Sequence, residues 1–290
     1  MSNAVPPLLT ALVDDAAVFP PGSASLADAV PAHAEHRARW YAPLVGPLVI
    51  PLADRAEFRA LAPPGTAVGL VGEPAAVEAA LGDLPAGTRQ IESPVAKRGE
   101  DPLPGIERLA ALMRKNEEPW QWYLEVPLSW GLMSALDAVA ALRAEGLSAA
   151  AKFRTGGLAA ELFPTPMELA AVICACRDRA LPFKLTAGLH HALRHTDAET
   201  GLVHHGFLNI LVAVLAAADG AEPADLGGVL ATTDAPPLAD RILPALDRER
   251  PLWVGFGSCS VRDPVADLVT LGLLDRPRPT SPPPSPGGAS

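Results

Sequence analysis

With 290 residues, 49% of them hydrophobic, the chain is long enough for one large domain with a sizeable core, and its three cysteines are too few for a disulfide framework. A formal net charge of −10, with basic residues dispersed along the chain, argues against a nucleic-acid surface. Asp14 and Asp15 interrupt the apolar start, and the longest apolar stretch, 207–218, is too short for a bilayer and carries Asn209; the expectation is a cytosolic protein with no membrane partner.

Apolar runs of strand length occur at 8–13, 46–51, 66–72, 89–93, 122–127, 148–154, 183–188 and 253–258. Helical patterns between them open on recognisable start signals. Ser23 and Ser25 precede the first, Pro74 stands in the first turn of another, and Thr165, Pro166 and Glu168 spell a capping box. The helix before the sixth strand closes on Gly146, the usual left-handed stop, and the last helix starts at Asp263 with Pro264 behind it.

Eight such alternations predict an α/β fold of the (β/α)8 TIM-barrel type, a single domain over 1–274. A doubly wound sheet is the competitor, but no G-x-G-x-x-G follows the first strand. The seventh strand is followed by a 17-residue loop, 189–205, then by a helix and a segment with room for a ninth element. Residues 275–290, rich in Pro and Ser, read as a disordered tail.

Only four lysines occur, and two of them, Lys152 in SAAAKFR and Lys184 in PFKLTAG, fall within predicted buried strands, whereas Lys97 and Lys115 lie in polar surroundings. Burial disfavours the ammonium and lowers a lysine pKa, which suits proton abstraction or imine formation. Strand residues two apart share a face, so Lys152 lies with Arg154, Lys184 with Thr186, Gln90 with Glu92, and Tyr123 with Glu125. At the C-terminal barrel mouth this assembles Glu92, Glu125, Lys152, Arg154 and Lys184. The same set forms either a proton-moving site or a structural ion network, and the sequence leaves both open.

Five of the seven histidines, His190, His191, His195, His204 and His205, crowd into the long loop. The candidate catalytic set is therefore Lys184, Lys152, Glu125, His190 and His191. Arg154 is expected to hold a substrate carboxylate or phosphate through its planar fork, with Glu92, Thr186, His205 and Asn209 around it. Gly257 and Ser258, in GFGSCS, offer backbone N–H groups and a hydroxyl to an anion. Cys259 falls in the opposite strand phase with no evident base. A metal is the rival use of the histidines, with Asp14, Asp15, Glu92 and Glu125 as oxygen ligands, but the H-H pairs lack a metal-binding spacing. No metal or other cofactor is expected.

The stretches PFKLTAGL and GFGSCS resemble the Schiff-base strand and the phosphate turn of class I, deoxyribose-phosphate aldolase-type barrels. The resemblance implies an imine at Lys184, a neighbouring Lys152 that lowers its pKa, and phosphate held by Gly257 and Ser258. In this chain Lys184 falls on the seventh predicted strand, and no lysine follows on the eighth.

These readings lead to a barrel enzyme acting on a small anionic substrate through a lysine-centred site, of aldolase-like lyase or isomerase type. A metal-assisted lyase, isomerase or hydrolase and a non-catalytic metabolite-binding barrel are the alternatives. The expected partner is a small molecule, and a homo-oligomer is compatible with the sequence.

Overall fold

The computed structural model describes residues 5–157 and 159–276. In chain order the elements are β1 (Val13–Asp15), α1 (Leu26–Ala38), β2 (Val45–Pro51), α2 (Arg55–Leu61), β3 (Val68–Val71), α3 (Pro74–Ala80), β4 (Thr88–Pro94), α4 (Leu103–Lys115), β5 (Gln121–Glu125) and α5 (Leu132–Ala144). They continue with β6 (Ala149–Arg154), α6 (Pro166–Asp178), β7 (Phe183–Thr186), β8 (His195–Thr196), β9 (Val203–His204), α7 (Phe207–Ala218), α8 (Pro223–Ala231), α9 (Ala235–Ile242), β10 (Trp253–Ser258) and α10 (Arg262–Thr270). Eight parallel strands close in the order β1-β10-β7-β6-β5-β4-β3-β2, with helices around them: the chain folds as a (β/α)8 barrel.

The two phases of each strand do different work. Ile91, Leu124, Phe153 and Leu185 are buried in the apolar core between the strands and the helix layer. Each such side chain contributes about 1.5–3 kcal/mol by leaving water. The other phase fills the barrel with polar groups, and two glycines make room for them. A Cβ on Gly46 would lie 1.8 Å from Asp14 Oδ1, and one on Gly69 would lie 2.7 Å from Gln90 Nε2. Below these groups Arg250 seals the bottom, donating to the carbonyls of Trp253 (2.6 Å), Leu8 (2.7 Å), Val254 (2.8 Å) and Thr10 (3.0 Å).

Two local expectations change, and the extra segment foreseen before the last strand is present. The first strand is not 8–13: Pro7–Leu9 form a 3-10 turn that carries the Arg250 contact, and pairing starts only at Val13. Proline at 6 and 7 lacks the N–H that a ladder needs, so the apolar run closes the barrel floor and the strand shifts to include Asp14 and Asp15. The long loop is folded back as a hairpin, with His195 opposite His204 and Thr196 opposite Val203. The extra segment before β10 is the helix pair α8 and α9, α8 packing against α6 and α7.

Ser25 caps α1, and the Thr165–Glu168 capping box opens α6. The tail expected over 275–290 lies, beyond Arg276, outside the described residues. Among the described residues no helix is long and apolar enough to cross a membrane.

Candidate active site

Register brings the charged residues together. Glu125 on β5 is level with Lys152 on β6, which is level with Lys184 on β7. Asp14 on β1 is level with Gly257 on β10, which in turn is level with Thr186 on β7. Glu92 of β4 completes the group.

The result is one continuous chain of ion pairs. Lys184 Nζ donates to Asp14 Oδ2 and to Glu92 Oε1, the latter at 2.5 Å. Lys152 Nζ lies 2.6 Å from Glu92 Oε2 and 2.8 Å from Glu125 Oε2. Gln90 Nε2 donates to Asp14 Oδ2 (2.8 Å) and Glu92 Oε1 (2.9 Å). Arg154 Nη1 stands 3.8 Å from Glu125 Oε1 at the outer end. The Tyr123 ring sits beneath Lys184, 4.9 Å from Nζ.

Electrostatics inverts the expectation of a lowered lysine pKa. Burial opposes the ammonium at both sites, but Asp14 and Glu92 around Lys184, and Glu92 and Glu125 around Lys152, outweigh it and raise both values. Burial also works against the Glu92 carboxylate, yet the two ammonium groups pull it down to about 2. The Tyr123 phenol is pushed up by burial and then by Asp14 and Glu92, so it stays protonated. A lysine held as ammonium has no lone pair to attack a carbonyl.

The middle of this chain is closed to solvent, while the Asp14 side chain at one end is 11% exposed. The side chains of Lys152, Lys184 and Glu92 are 4, 3 and 2% exposed, whereas those of Glu125 and Arg154 are 18 and 50% exposed. Glu125 and Arg154 line a cavity of about 290 Å³ at the barrel mouth. Its apolar wall is Val126, Pro127, Leu128, Leu162 and Pro164, and its other charged residues are Lys97, Arg98, Glu161 and Glu168. Glu92, expected to touch substrate, is instead enclosed between the two lysines.

The histidine loop builds a separate cluster. His195 and His204 stack at 5.3 Å between centroids, His191 meets His195 edge-on at 5.0 Å, and Phe163 meets His204 edge-on at 4.9 Å. None of the five histidines lines the cavity. His191 is half-exposed and faces Asp267 of α10 at 3.3 Å. His205, fully buried, bonds the Pro164 carbonyl at 2.7 Å, and burial pushes its imidazole down to about 4. Asn209 donates to the carbonyls of Val229 (2.9 Å) and Thr232 (2.7 Å) and accepts from the Arg194 amide. Those buried amides and carbonyls require partners, so His205 ties the hairpin to the start of α6 and Asn209 ties α7 to α8 and to the loop, both away from the cavity lining.

The GFGSCS turn is also engaged. Ser258 is 1% exposed and its hydroxyl donates to the Ser260 carbonyl at 2.8 Å. Gly257 lies next to Thr186, whose Oγ1 would be 3.5 Å from an added Cβ. Cys259 does have a base within reach: His190 Nδ1 lies 3.4 Å from its Sγ. Burial pushes that thiol up and the His190 imidazole down, which keeps the pair neutral.

Sequence reasoning missed Asp14 as a lysine partner, because the first strand was placed too early. It passed over Lys97 and Arg98 because their loop carries no motif. Among the described residues no group of three or more His, Cys, Asp or Glu side chains is arranged to hold a metal ion. No protein-family model matches the chain, and neither does any curated protein sequence.

Proposed function

We propose that this chain is a cytosolic barrel enzyme that moves a proton next to the carbonyl of a small anionic substrate, as an isomerase or lyase. The observation that carries the reading is the unbroken chain of paired charges from Asp14 on β1 to Glu125 at the cavity wall. Glu125 is the one carboxylate of that chain that lines the cavity, where it can take a proton from a bound carbon acid. Arg154, beside it, holds the substrate carboxylate or phosphate. Lys152 faces Glu125 from below and, with Glu92 and Lys184 behind it, offsets charge as the proton moves. The lysines act here as positioning residues held charged, not as imine-forming nucleophiles.

The test is hydrogen exchange in deuterated water, followed by proton NMR on carbonyl compounds bearing a carboxylate or a phosphate, pyruvate and dihydroxyacetone phosphate among them. Exchange by the wild-type chain should fall by about 10²- to 10⁴-fold in Glu125→Gln. Borohydride added with the same compounds should leave Lys184 and Lys152 unmodified in the mass spectrum. An adduct on Lys184 would restore the imine mechanism that the aldolase resemblance implied.

A non-catalytic metabolite-binding barrel is the second reading. It is favoured by the complete pairing of both buried lysines. It predicts binding of these compounds with no exchange above the Glu125→Gln background, and that result overturns the enzyme reading.

A further inference from the structure

Resting on that reading of the cavity, we propose that Lys97 and Arg98 form a second anion subsite. The substrate is then a short carbonyl compound with an anionic group at each end, a carboxylate at Arg154 and a phosphate or second carboxylate at Lys97 and Arg98.

Both residues stand on the connection from β4 to α4 and line the same cavity as Arg154 and Glu125. Several exposed arginines of this acidic chain find a carboxylate, Arg39 with Glu35, Arg59 with Asp83, Arg108 with Glu78 and Arg114 with Glu145, whereas among the described residues Arg37 and Arg241, also exposed, do not and lie outside this cavity. Among the described residues Lys97 and Arg98 form no ion pair. The carboxylates around them are mostly committed elsewhere. Glu125 is held by Lys152, and Glu168, though it feels the Arg98 charge, accepts from the Thr165 amide (2.7 Å) and hydroxyl (2.9 Å) in the helix cap. Glu161 is the remaining acidic residue of the lining.

The loop that carries the two cations is built in place. Val95 N–H donates to the Glu125 carbonyl at 3.1 Å, Lys97 N–H to Glu100 Oε2 at 3.0 Å, and Gly99 N–H to Ser129 Oγ at 3.2 Å. The first of these bonds ties the start of the loop to the backbone of Glu125 itself. A cavity of about 290 Å³ lies at the small end of ligand sites, which suits a compact metabolite. Barrel order places β4 diametrically opposite β10, so this subsite is across the mouth from the GFGSCS turn where the sequence had placed phosphate.

The experiment is isothermal titration of the full chain, at one fixed ionic strength because exposed charges are screened, with acetate, inorganic phosphate and phosphoglycolate as probes. Phosphoglycolate should bind at least about tenfold more tightly than either single anion. Lys97→Ala/Arg98→Ala should lose that gain and keep the wild-type affinity for acetate, while Arg154→Ala weakens acetate as well. Both altered residues are exposed, so folding should be retained, as circular dichroism will check. Equal binding of acetate and phosphoglycolate, or an unchanged phosphoglycolate affinity in the double variant, overturns the subsite and leaves the Glu125–Arg154 reading standing. No binding of any probe, or acetate binding indifferent to Arg154→Ala, overturns both.

Discussion

Glu92 is the residue on which the interior turns, because it receives both lysines and Gln90 while almost wholly closed to water. Removing one member of a buried ion pair leaves its partner uncompensated, at a cost of about 3–5 kcal/mol. Lys184→Met leaves Asp14 with Gln90 alone, so it should cost that full amount in a urea unfolding experiment. Lys152→Met should cost less, about 1.5–3 kcal/mol, because Glu92 keeps Lys184 and Glu125 reaches solvent and Arg154. Equal losses for the two variants would show that the chain of pairs does not divide as its geometry implies. The cysteines report on the same scale. Cys174 and Cys176 are buried, the latter with its thiol pushed up to about 12 by burial, whereas Cys259 is half-buried beside His190. Iodoacetamide at neutral pH should therefore label Cys259 first, read by peptide mass spectrometry, and the other two only on unfolding.

At the scale of elements, start signals were legible where they are local. The box at Thr165 and Glu168 is present as the spacing demands, because it needs only four consecutive residues and a β-region cap. Thr165→Ala should cost about 1 kcal/mol of stability in urea; a loss within error would mean that tertiary packing alone holds the start of α6. The first strand was misplaced for a reason that is not local. Leu8 and Leu9 satisfy the apolar pattern of a strand, but the carbonyls around them are claimed by Arg250, more than two hundred residues away. The histidine loop was misjudged in the same way. Its crowding marked it as unusual, yet the β8–β9 hairpin turns the rings on one another and directs His205 into the core.

At the scale of the whole molecule, two buried groups dominate the response to acid, with His36 and His190, also lowered by burial, adding to it. His205 is held at about 4 and Glu92 at about 2, both below their ordinary values of 6.5 and 4.5. For a group depressed on folding the stabilisation is present above the ordinary pKa and is lost as pH falls toward the folded one. Stability should thus fall first between pH 6.5 and about 4 as unfolded chains bind a proton at His205, and again from 4.5 to about 2 as they protonate Glu92. His205→Gln should flatten, without abolishing, the upper part of that decline when urea midpoints are measured across pH, since His36 and His190 are lowered too; an unaltered profile would remove His205 from the account. The raised lysines act at the other extreme, since their contribution is present below their ordinary value of 10.5 and is lost as pH rises through the folded values.

Periodicity, caps and the alternation of elements were enough to determine the barrel, because each depends on residues close together in the chain. The two-residue strand repeat was likewise enough to send Glu92, Glu125, Lys152, Arg154 and Lys184 to one face. What those residues are to one another was decided only by closure of the sheet. Closure places Asp14 and Glu92 against amines far away in sequence, and their combined attraction exceeds the desolvation that burial alone would impose. The same closure sets Lys97, Arg98 and Arg154 around one cavity, a convergence of loops that no linear spacing encodes.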